Sequence, residues 1–469
     1  MLMAKWRPAG FGARNYASIT ASPQIMVNDL KHQEILVAFD DKIATRYPSF
    51  WLRDHCRCSE CMHPHTKQRQ INTFDIDPDV RVQDADAKAT AEGLEIIWPG
   101  NHRSQYSWDW LRDHVPFSAA SSNEHVRGKW QHIAPHSPRL PTVDYDAVMN
   151  SEGGLKEYLG QIRTFGLSFV RDTPATPEAT EQLLNRISFI RPTHYGAFWD
   201  FTSRPNPVDT AYTNLGLPNH TDNTYFTDPC GLQMFHCLQA GEGGESTFVD
   251  GFAAAAHLHI LNPDYYNILS SIRVTSHASG DSTAGNFMNN TVHPGGYPVF
   301  THATPHTKPH PKNITQIRWN NDDRHSTTQW PSHERMIMWY RAARVWSGLL
   351  ASKDFEITVK LEPGTPVIFD NWRTLHGRKA FEGQRRICGG YINMDDFIAK
   401  CRAAGLRDHT EVEAMPEKSD GMSEQEKKNE EKVKKEQIQE EELAEREEEN
   451  IEPEVVPQKD QGMDRPFAS

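Results

Sequence analysis

The run GLQMFHCLQAGEGGESTFVDG, residues 231–251, indicates the fold class of this chain. Two apolar and aromatic stretches flank a glycine-rich break, as expected for short strands joined by a tight connection. Similar runs recur between about residues 190 and 400, among them PVIFDNW and RRICGGYIN, and no regular alternation of strands with helices joins them. The pattern predicts a mainly β domain with flanking helices, either an antiparallel sandwich or a jelly roll.

Composition changes along the chain divide it into domains. Short β-type runs over residues 28–115 predict a small β-rich domain, and helical patterns near 143–165 and 177–188 open a larger domain at 140–408. Residues 411–469 form a charged tail that we expect to be disordered, since it lacks apolar residues at heptad spacing.

Charge and hydropathy argue against two classes of partner. The stretch 411–454 holds 18 acidic and 7 basic side chains and so carries 11 of the 13 net negative charges. The rest of the chain is nearly neutral, which argues against a nucleic-acid surface. No apolar run approaches the roughly 18 residues that cross a bilayer, so we expect no membrane span.

The N-terminal segment 1–27 has the composition of a mitochondrial presequence. It contains Lys5, Arg7 and Arg14, no acidic residue, and scattered serine and threonine. An ordinary N-terminus fits this segment equally well. The expected location is therefore the mitochondrial matrix, with the cytoplasm as the alternative.

A His-x-Asp pair in LPNHTDNTYF suggests a metal site. Residues i and i+2 of a strand point to the same side, so His220 and Asp222 would converge on one point. His376, at the end of PGTPVIFDNWRTLHGR, is the candidate third ligand. Two histidines and one carboxylate form the facial triad of ferrous oxygenases, which leaves three coordination positions open.

Two adjacent arginines strengthen this interpretation. Arg385 and Arg386 follow His376 by nine and ten residues, and a 2-oxoglutarate site needs a guanidinium to hold the distal carboxylate. Because neighbours in a strand face opposite ways, only one of the two can enter the pocket.

The stretches 220–251 and 369–391 resemble the Fe(II)- and 2-oxoglutarate-dependent dioxygenases of carnitine biosynthesis, and within that family its trimethyllysine branch. The resemblance covers roughly residues 30–405. It implies a double-stranded β-helix (jelly roll) catalytic domain preceded by a small β-rich zinc-binding domain. It also implies iron at His220, Asp222 and His376 and 2-oxoglutarate at Arg385, whereas Arg386 holds the position used in more distant taurine-type enzymes.

The activity implied by the resemblance is hydroxylation of N6,N6,N6-trimethyllysine at C3, the first step of carnitine biosynthesis. With iron(II) as the cofactor, O2 and 2-oxoglutarate are consumed, and succinate and CO2 are released. The resemblance also implies a requirement for ascorbate and a homodimeric assembly. The alternatives are γ-butyrobetaine hydroxylation and a non-catalytic jelly roll that binds methylated lysine.

Aromatic residues upstream of the iron motif and after the arginines are candidates for substrate binding. A quaternary ammonium cannot donate a hydrogen bond, so aromatic faces must recognise it. Aromatic residues at strand spacing are otherwise typical of a core. The resemblance implies that four of them form the cage: Tyr195, Trp199, Tyr212 and Tyr391.

Polar candidates for the other end of the substrate are fewer. Asp209 could pair with the α-ammonium of trimethyllysine, although aspartate in NPVDT is also a common turn residue. Asn320 and Asn321 in RWNND could hold the substrate carboxylate, and a strand-end turn is the alternative.

The run WLRDHCRCSECMHPH predicts a second metal site. Cys56, Cys58 and Cys61 supply three thiolates, which cannot complete a tetrahedral zinc site alone. His63 and His65 lie nearby, whereas the resemblance implies His102 as the fourth ligand. We expect a structural zinc, because four protein ligands leave no position for a catalytic water.

Overall fold

The computed structural model describes residues 24–28, 33–39, 44–83, 86–116, 140–202, 213–278, 295–303 and 309–406. Contacts divide the chain into two units, Met1–Glu124 with Thr301–Thr315, and His125–Phe300 with Gln316–Ser469. The units group Thr301–Thr315 with the N-terminal part of the chain, and the expected domain bounds of 28–115 and 140–408 stay a prediction. Composition follows chain order, whereas the grouping of residues 301–315 with the first unit depends on contacts made after folding.

The first unit is built around two small antiparallel sheets. Its elements are β1 (Gln24–Asn28), β2 (Glu34–Ala38), β3 (Ala44–Pro48), α1 (Ser49–Asp54), β4 (Ala87–Ala89), β5 (Gly93–Trp98), β6 (His102–Ser107) and α2 (Trp108–Asp113). One sheet has the order β1-β2-β3 and the other β4-β5-β6. Strand β1 begins at Gln24, inside the candidate targeting segment 1–27, and the rest of that segment lies outside the described residues.

The second unit contains more helix than its sequence pattern indicates. Its first elements are β7 (Thr142–Asp144), α3 (Tyr145–Asn150), α4 (Glu152–Phe165), β8 (Leu167–Arg171), α5 (Pro177–Ile187), β9 (Phe198–Thr202), β10 (Leu217–His220), β11 (Leu232–Gln239), β12 (Glu242–Gly243), β13 (Ser246–Asp250), α6 (Gly251–Leu261) and α7 (Pro263–Ser271). Strands β14 (Phe300–His302) and β15 (Ile314–Ile317) lie at the two ends of the segment Thr301–Thr315, which is grouped with the first unit. The remaining elements of the second unit are α8 (His333–Leu350), β16 (Glu356–Val359), β17 (Val367–Asp370), β18 (Thr374–Arg378), β19 (Phe381–Glu382), β20 (Arg386–Ile392) and α9 (Met394–Ala403).

Two sheets form the double-stranded β-helix. The larger has the strand order β7-β8-β17-β11-β20-β9 and is antiparallel except between β7 and β8. The smaller has the order β10-β18-β13-β16 and is antiparallel throughout. Phe248 of the smaller sheet meets Phe169 and Phe369 of the larger one, with ring centroids 6.3 and 5.6 Å apart. The prediction of a jelly roll is confirmed.

Strand alternation decides which side chains reach the space between the sheets. In β11, Leu232 and Met234 pack outward into a cluster with Leu159 of α4 and Leu184 of α5. Gln233 and Phe235, one position along, face inward. Strand β11 therefore has one face buried under helices and one face available for a site.

Helices α6 to α8 differ from the expectation for residues 190–400, which the sequence indicates as short strands. Helix α6 carries GFAAAAHLHIL, and apolar residues on nearly every side give no 3.6-residue periodicity to detect. Asp250 caps this helix by accepting hydrogen bonds from the N–H groups of Phe252 and Ala253. Across the described ranges, we find no helix with the length and apolar character that a bilayer span requires.

Candidate active site

The pairing of β10 with β18 brings the two predicted histidine ligands together. His220 lies directly opposite His376 in this antiparallel pair, and the two imidazole rings are 4.4 Å apart. Strand β10 ends at His220, so Asp222 belongs to the following turn rather than to an extended strand. The expected convergence occurs, but the turn, and not strand alternation, directs the carboxylate towards the histidines.

The three side chains have the geometry of one metal centre. Asp222 Oδ1 lies 3.1 Å from His220 Nε2 and 3.6 Å from His376 Nε2, and one donor atom from each residue falls within 4.8 Å of the others. Ligands at right angles and about 2.1 Å from a divalent ion would be about 3 Å apart. Two imidazoles and one carboxylate therefore fit a ferrous ion on one face of an octahedron.

Hydrogen bonds and charge orient the ligands. His220 Nδ1 donates to the Pro218 carbonyl at 2.8 Å, which leaves Nε2 free to coordinate. Burial alone would lower the pKa of His220, but the hydrogen bond to Asp222 and its charge raise it to about 9. Burial, together with the charge of His220, lowers the pKa of His376 to about 3.

Asn371 holds the turn that carries Asp222. Its Oδ1 accepts from the Asp222 N–H at 2.8 Å, while its Nδ2 donates to the carbonyls of Asp222 at 3.1 Å and Cys230 at 2.9 Å. Asn371 is buried in the connection between β17 and β18. The loop before His376 therefore also positions the second ligand.

A cavity opens over the three ligands and collects most of the predicted substrate residues. Tyr195, Trp199, Tyr391 and Asn320 all line it, whereas Asn321 does not. The Trp199 and Tyr391 rings are 6.3 Å apart at a steep angle, as two walls of a cage would be. The remaining two candidates, Tyr212 and Asp209, lie outside the described residues.

Gly389 makes room for Trp199. A Cβ at this position would lie 1.9 Å from the Met234 carbonyl oxygen and 2.6 Å from the Trp199 ring. Glycine in the middle of β20 therefore permits the close approach of the indole and the neighbouring strand.

The two adjacent arginines point in opposite directions. Arg385 lines the cavity and is buried, and burial lowers the pKa of its guanidinium. Arg386 lies on the other face of the sheet, where its Nε donates to Asp200 Oδ1 at 2.9 Å. Of the two predicted arginines, Arg385 is therefore the one that lines the cavity, and Arg386 points away from it.

Several charged or amide residues of the cavity were not singled out from the sequence. They are Gln233, Arg378, Asp322 and Asp323. Arg378 follows His376 by two residues in β18, so the spacing that identified Asp222 could also have identified it. Gln233 was hidden in an apolar run, and the two aspartates lie in the same RWNND run as Asn320.

A second cluster lies within the first unit. His102 Nε2 is 3.3 Å from Cys56 Sγ, 3.8 Å from Cys58 Sγ and 3.5 Å from Cys61 Sγ. A tetrahedral zinc, about 2.3 Å from sulfur and about 2.0 Å from nitrogen, would place these atoms about 3.6 Å apart. His63 instead accepts backbone N–H groups of a turn through Nδ1.

The fold and site together define a class of protein. A double-stranded β-helix that presents two histidines and an aspartate into a cavity containing a buried arginine is an Fe(II)- and 2-oxoglutarate-dependent dioxygenase. The family "Taurine catabolism dioxygenase TauD, TfdA family" matches residues 130–391, and "Gamma-butyrobetaine hydroxylase-like, N-terminal" matches residues 27–112.

Relatives from fungi and animals narrow the assignment. A trimethyllysine dioxygenase of Neurospora crassa is 43% identical over 76% of this chain and 80% of its own. One from Meyerozyma guilliermondii is 36% identical over 78% of this chain and 92% of its own. The human "Trimethyllysine dioxygenase, mitochondrial" is 35% identical over 83% of this chain and 90% of its own. The chain belongs to the TauD, TfdA family, in its trimethyllysine dioxygenase branch.

Proposed function

We propose that this enzyme hydroxylates N6,N6,N6-trimethyllysine at C3. The observation that carries the proposal is the convergence of His220, Asp222 and His376 beneath a cavity walled by Trp199 and Tyr391. Iron bound there with 2-oxoglutarate supplies the oxidation of an unactivated C–H bond by O2, with release of succinate and CO2. The relatives that share most of this chain are named for the same substrate.

The charges of the cavity wall suit the two molecules that must bind together. Burial, and to a smaller extent the positive charge of nearby Arg385, lowers the pKa of Arg378 to about 10. We assign Arg385 to the distal carboxylate of 2-oxoglutarate, because a buried guanidinium holds a carboxylate through two parallel hydrogen bonds. This role needs no proton transfer from the protein.

The substrate's two ends call for different groups. The aromatic faces of Tyr195, Trp199 and Tyr391, with Tyr212, attract the trimethylammonium group through their ring quadrupoles. Asp209 pairs with the α-ammonium of the substrate, and Asn320 donates to its carboxylate. Asn321 helps to hold that carboxylate through the turn that it shares with Asn320. γ-Butyrobetaine lacks the α-ammonium, so an acidic partner favours trimethyllysine over it.

Turnover assays test this proposal directly. Purified protein with Fe(II), 2-oxoglutarate and ascorbate should form succinate rapidly with trimethyllysine, and at least about tenfold more slowly with γ-butyrobetaine or with unmethylated lysine. Faster succinate formation with γ-butyrobetaine would assign the alternative activity. Binding of trimethyllysine without any succinate formation would indicate a methyl-lysine-binding protein instead. Mass spectrometry of the product locates the hydroxyl group at C3.

The second cluster is assigned to zinc. Three cysteines and a histidine with sulfur-to-nitrogen distances near the tetrahedral value support a closed, structural site at Cys56, Cys58, Cys61 and His102. All four ligands come from the chain, so this zinc stabilises the first unit rather than binding substrate.

Location and assembly complete the proposal. The basic, acid-free composition of residues 1–27 and the word "mitochondrial" in the name of the human relative support import into the mitochondrial matrix. The expected assembly is a homodimer. Cell fractionation with N-terminal sequencing checks the first statement, and light scattering of the purified protein checks the second.

A further inference from the structure

Three polar side chains form a hydrogen-bonded chain that ends on the metal ligand Asp222. Gln233 of β11 and Tyr391 of β20 are directly paired across the two strands. Gln233 Nε2 lies 3.3 Å from Tyr391 Oη, and Tyr391 Oη lies 2.7 Å from Asp222 Oδ2. Gln233 and Tyr391 are nearly excluded from solvent, with 2% and 4% of their surfaces exposed.

Chemistry fixes the direction of both hydrogen bonds. An ionised carboxylate can only accept, so the single Tyr391 hydroxyl hydrogen must go to Asp222 Oδ2. The Tyr391 oxygen can then only accept from its other neighbour, so the Gln233 amide group must be the donor. The chain therefore runs from Gln233 through Tyr391 to Asp222.

This arrangement gives the two oxygens of Asp222 separate tasks. Oδ1 is the oxygen that approaches the two imidazole nitrogens, at 3.1 and 3.6 Å. Oδ2 is occupied by the tyrosine hydroxyl. A carboxylate held in this way presents one oxygen to an ion and leaves the adjacent coordination position to other ligands.

We propose that Tyr391 and Gln233 are positioning residues that hold Asp222 as a one-oxygen metal ligand. The role belongs to the tyrosine hydroxyl and is separate from that of its ring, which forms a wall of the substrate cavity. Hydrogen bonds to the far side of a ligand orient it, and their loss commonly weakens metal binding 10- to 100-fold. This inference rests on the proposed metal site.

Metal titration of full-length protein tests the proposal without turnover. Mn(II) is added under anaerobic conditions, free Mn(II) is followed by electron paramagnetic resonance, and wild type is compared with Tyr391→Phe, which keeps the ring. We expect Kd to rise about tenfold or more in Tyr391→Phe, and several-fold in Gln233→Met, which removes the donor at similar side-chain length. The d–d absorption bands of bound Co(II) should shift in both variants, because the ligand geometry changes.

Tyr225→Phe is the matched control. Tyr225 also lines the cavity, but its hydroxyl approaches His194 Nε2, at 3.4 Å, instead of Asp222. This variant should bind Mn(II) with the affinity of wild type. Equal weakening in the control would attribute the effect to general disturbance of the cavity and overturn the proposal.

The outcomes separate this inference from the proposed function. If wild type binds Mn(II) and folded Tyr391→Phe binds it equally well, the positioning role is wrong while the metal site stands. If wild type itself does not bind Mn(II), the metal site and the proposed function both fail. If circular dichroism shows that Tyr391→Phe is unfolded, unchanged affinity in Gln233→Met overturns the proposal.

Discussion

At the residue scale, the site depends on single side chains whose role an adjacent residue of the same type cannot take over. Arg385 and Arg386 have the same chemistry and differ only in the face of the sheet on which they lie. Arg386 forms a surface ion pair with Asp200, and such pairs contribute little to stability. The guanidinium of Arg385 is buried and lines the cavity. The direction of the side chain therefore decides which of the two arginines reaches the cavity.

These neighbours provide a matched pair for mutation. Replacing Arg385 with lysine removes the two parallel hydrogen bonds of the guanidinium but keeps the positive charge. We expect the KM for 2-oxoglutarate to rise about 10- to 100-fold, since a charge-assisted hydrogen bond contributes roughly 1.5–3 kcal/mol. Steady-state succinate assays at varied 2-oxoglutarate measure this change. Arg386→Lys should stay within about twofold of wild type, and a comparable rise there would contradict the assignment.

The residues of the metal triad could be predicted because their types and order carry the chemistry. His220, Asp222 and His376 are needed as an imidazole, a carboxylate and an imidazole, whatever the backbone does between them. Gln233 and Asn371 could not be predicted in this way. Their importance lies in which groups they contact, and those contacts arise from cross-strand register and a buried turn.

At the element scale, loops and strands are fixed around the site by buried polar contacts. Arg318 donates to the carbonyls of Thr224, at 3.3 Å, and Thr227, at 3.0 Å, and so holds the loop that follows Asp222. Asp250 caps α6 and also forms a two-point ion pair with buried Arg373, with distances of 3.0 and 2.7 Å. Breaking such a pair leaves an uncompensated buried charge.

His236 connects three elements in the same way. Its Nε2 accepts from the Gly364 N–H at 3.0 Å, so its Nδ1 carries the hydrogen and donates to Thr180 Oγ1 of α5 at 2.7 Å. The hydrogen bond from Gly364 requires the neutral imidazole of this residue in β11, because a protonated Nε2 cannot accept it. Burial lowers the pKa of His236 from 6.5 to about 4.

Acid should therefore destabilise the fold through this histidine. Because the unfolded chain binds the proton more tightly, the contribution of neutral His236 is fully present above pH 6.5 and is lost as the pH falls through 4. The loss is on the order of 3 kcal/mol, at about 1.4 kcal/mol per pKa unit. Urea unfolding at pH 7, 5.5 and 4.5 measures it. In His236→Gln the free energy of unfolding should vary less with pH than in wild type. The control His333→Gln changes an exposed histidine and should follow wild type. Identical pH profiles for all three proteins would contradict the prediction.

The elements show where periodicity is informative. Helices α4 and α5 alternate polar and buried faces, and each begins at a residue whose side chain caps it, Ser151 and Thr176. They were predicted near their observed positions, 143–165 and 177–188. Helix α6 is apolar on nearly all sides, and its AAAA run shows neither the 3.6-residue period of a helix nor the two-residue period of a strand. Its helical structure therefore depends on burial between β13 and neighbouring helices.

At the scale of the whole molecule, the chain combines two units with separate cores and separate metal clusters. Ile35, Leu94 and Tyr106 belong to the core of the first unit, and Phe169 and Phe369 to that of the second. The acidic tail beyond residue 411 lies outside the described residues. Composition predicts a domain boundary near 115–140, whereas no sequence pattern groups residues 301–315 with the first unit.

Removal of zinc should affect the units unequally. In His102→Ala we expect bound zinc, measured by mass spectrometry of the metal content, to fall from about one per chain to near zero, since a three-ligand site binds much more weakly. Hydrogen exchange should then show lost protection over residues 86–113 and retained protection over 140–202. His63→Ala is the control and should keep its zinc. Full zinc retention in His102→Ala would return the fourth ligand to His63 or His65.

The proposed function requires that the imidazoles of His220 and His376 and the carboxylate of Asp222 hold a single divalent ion. Anomalous X-ray scattering at the manganese or iron edge, from crystals grown anaerobically with that metal, tests it most directly. We expect one strong peak within bonding distance of His220 Nε2, His376 Nε2 and Asp222 Oδ1. Metal-loaded crystals with no peak there, or with a peak that one of these three atoms does not reach, would contradict it.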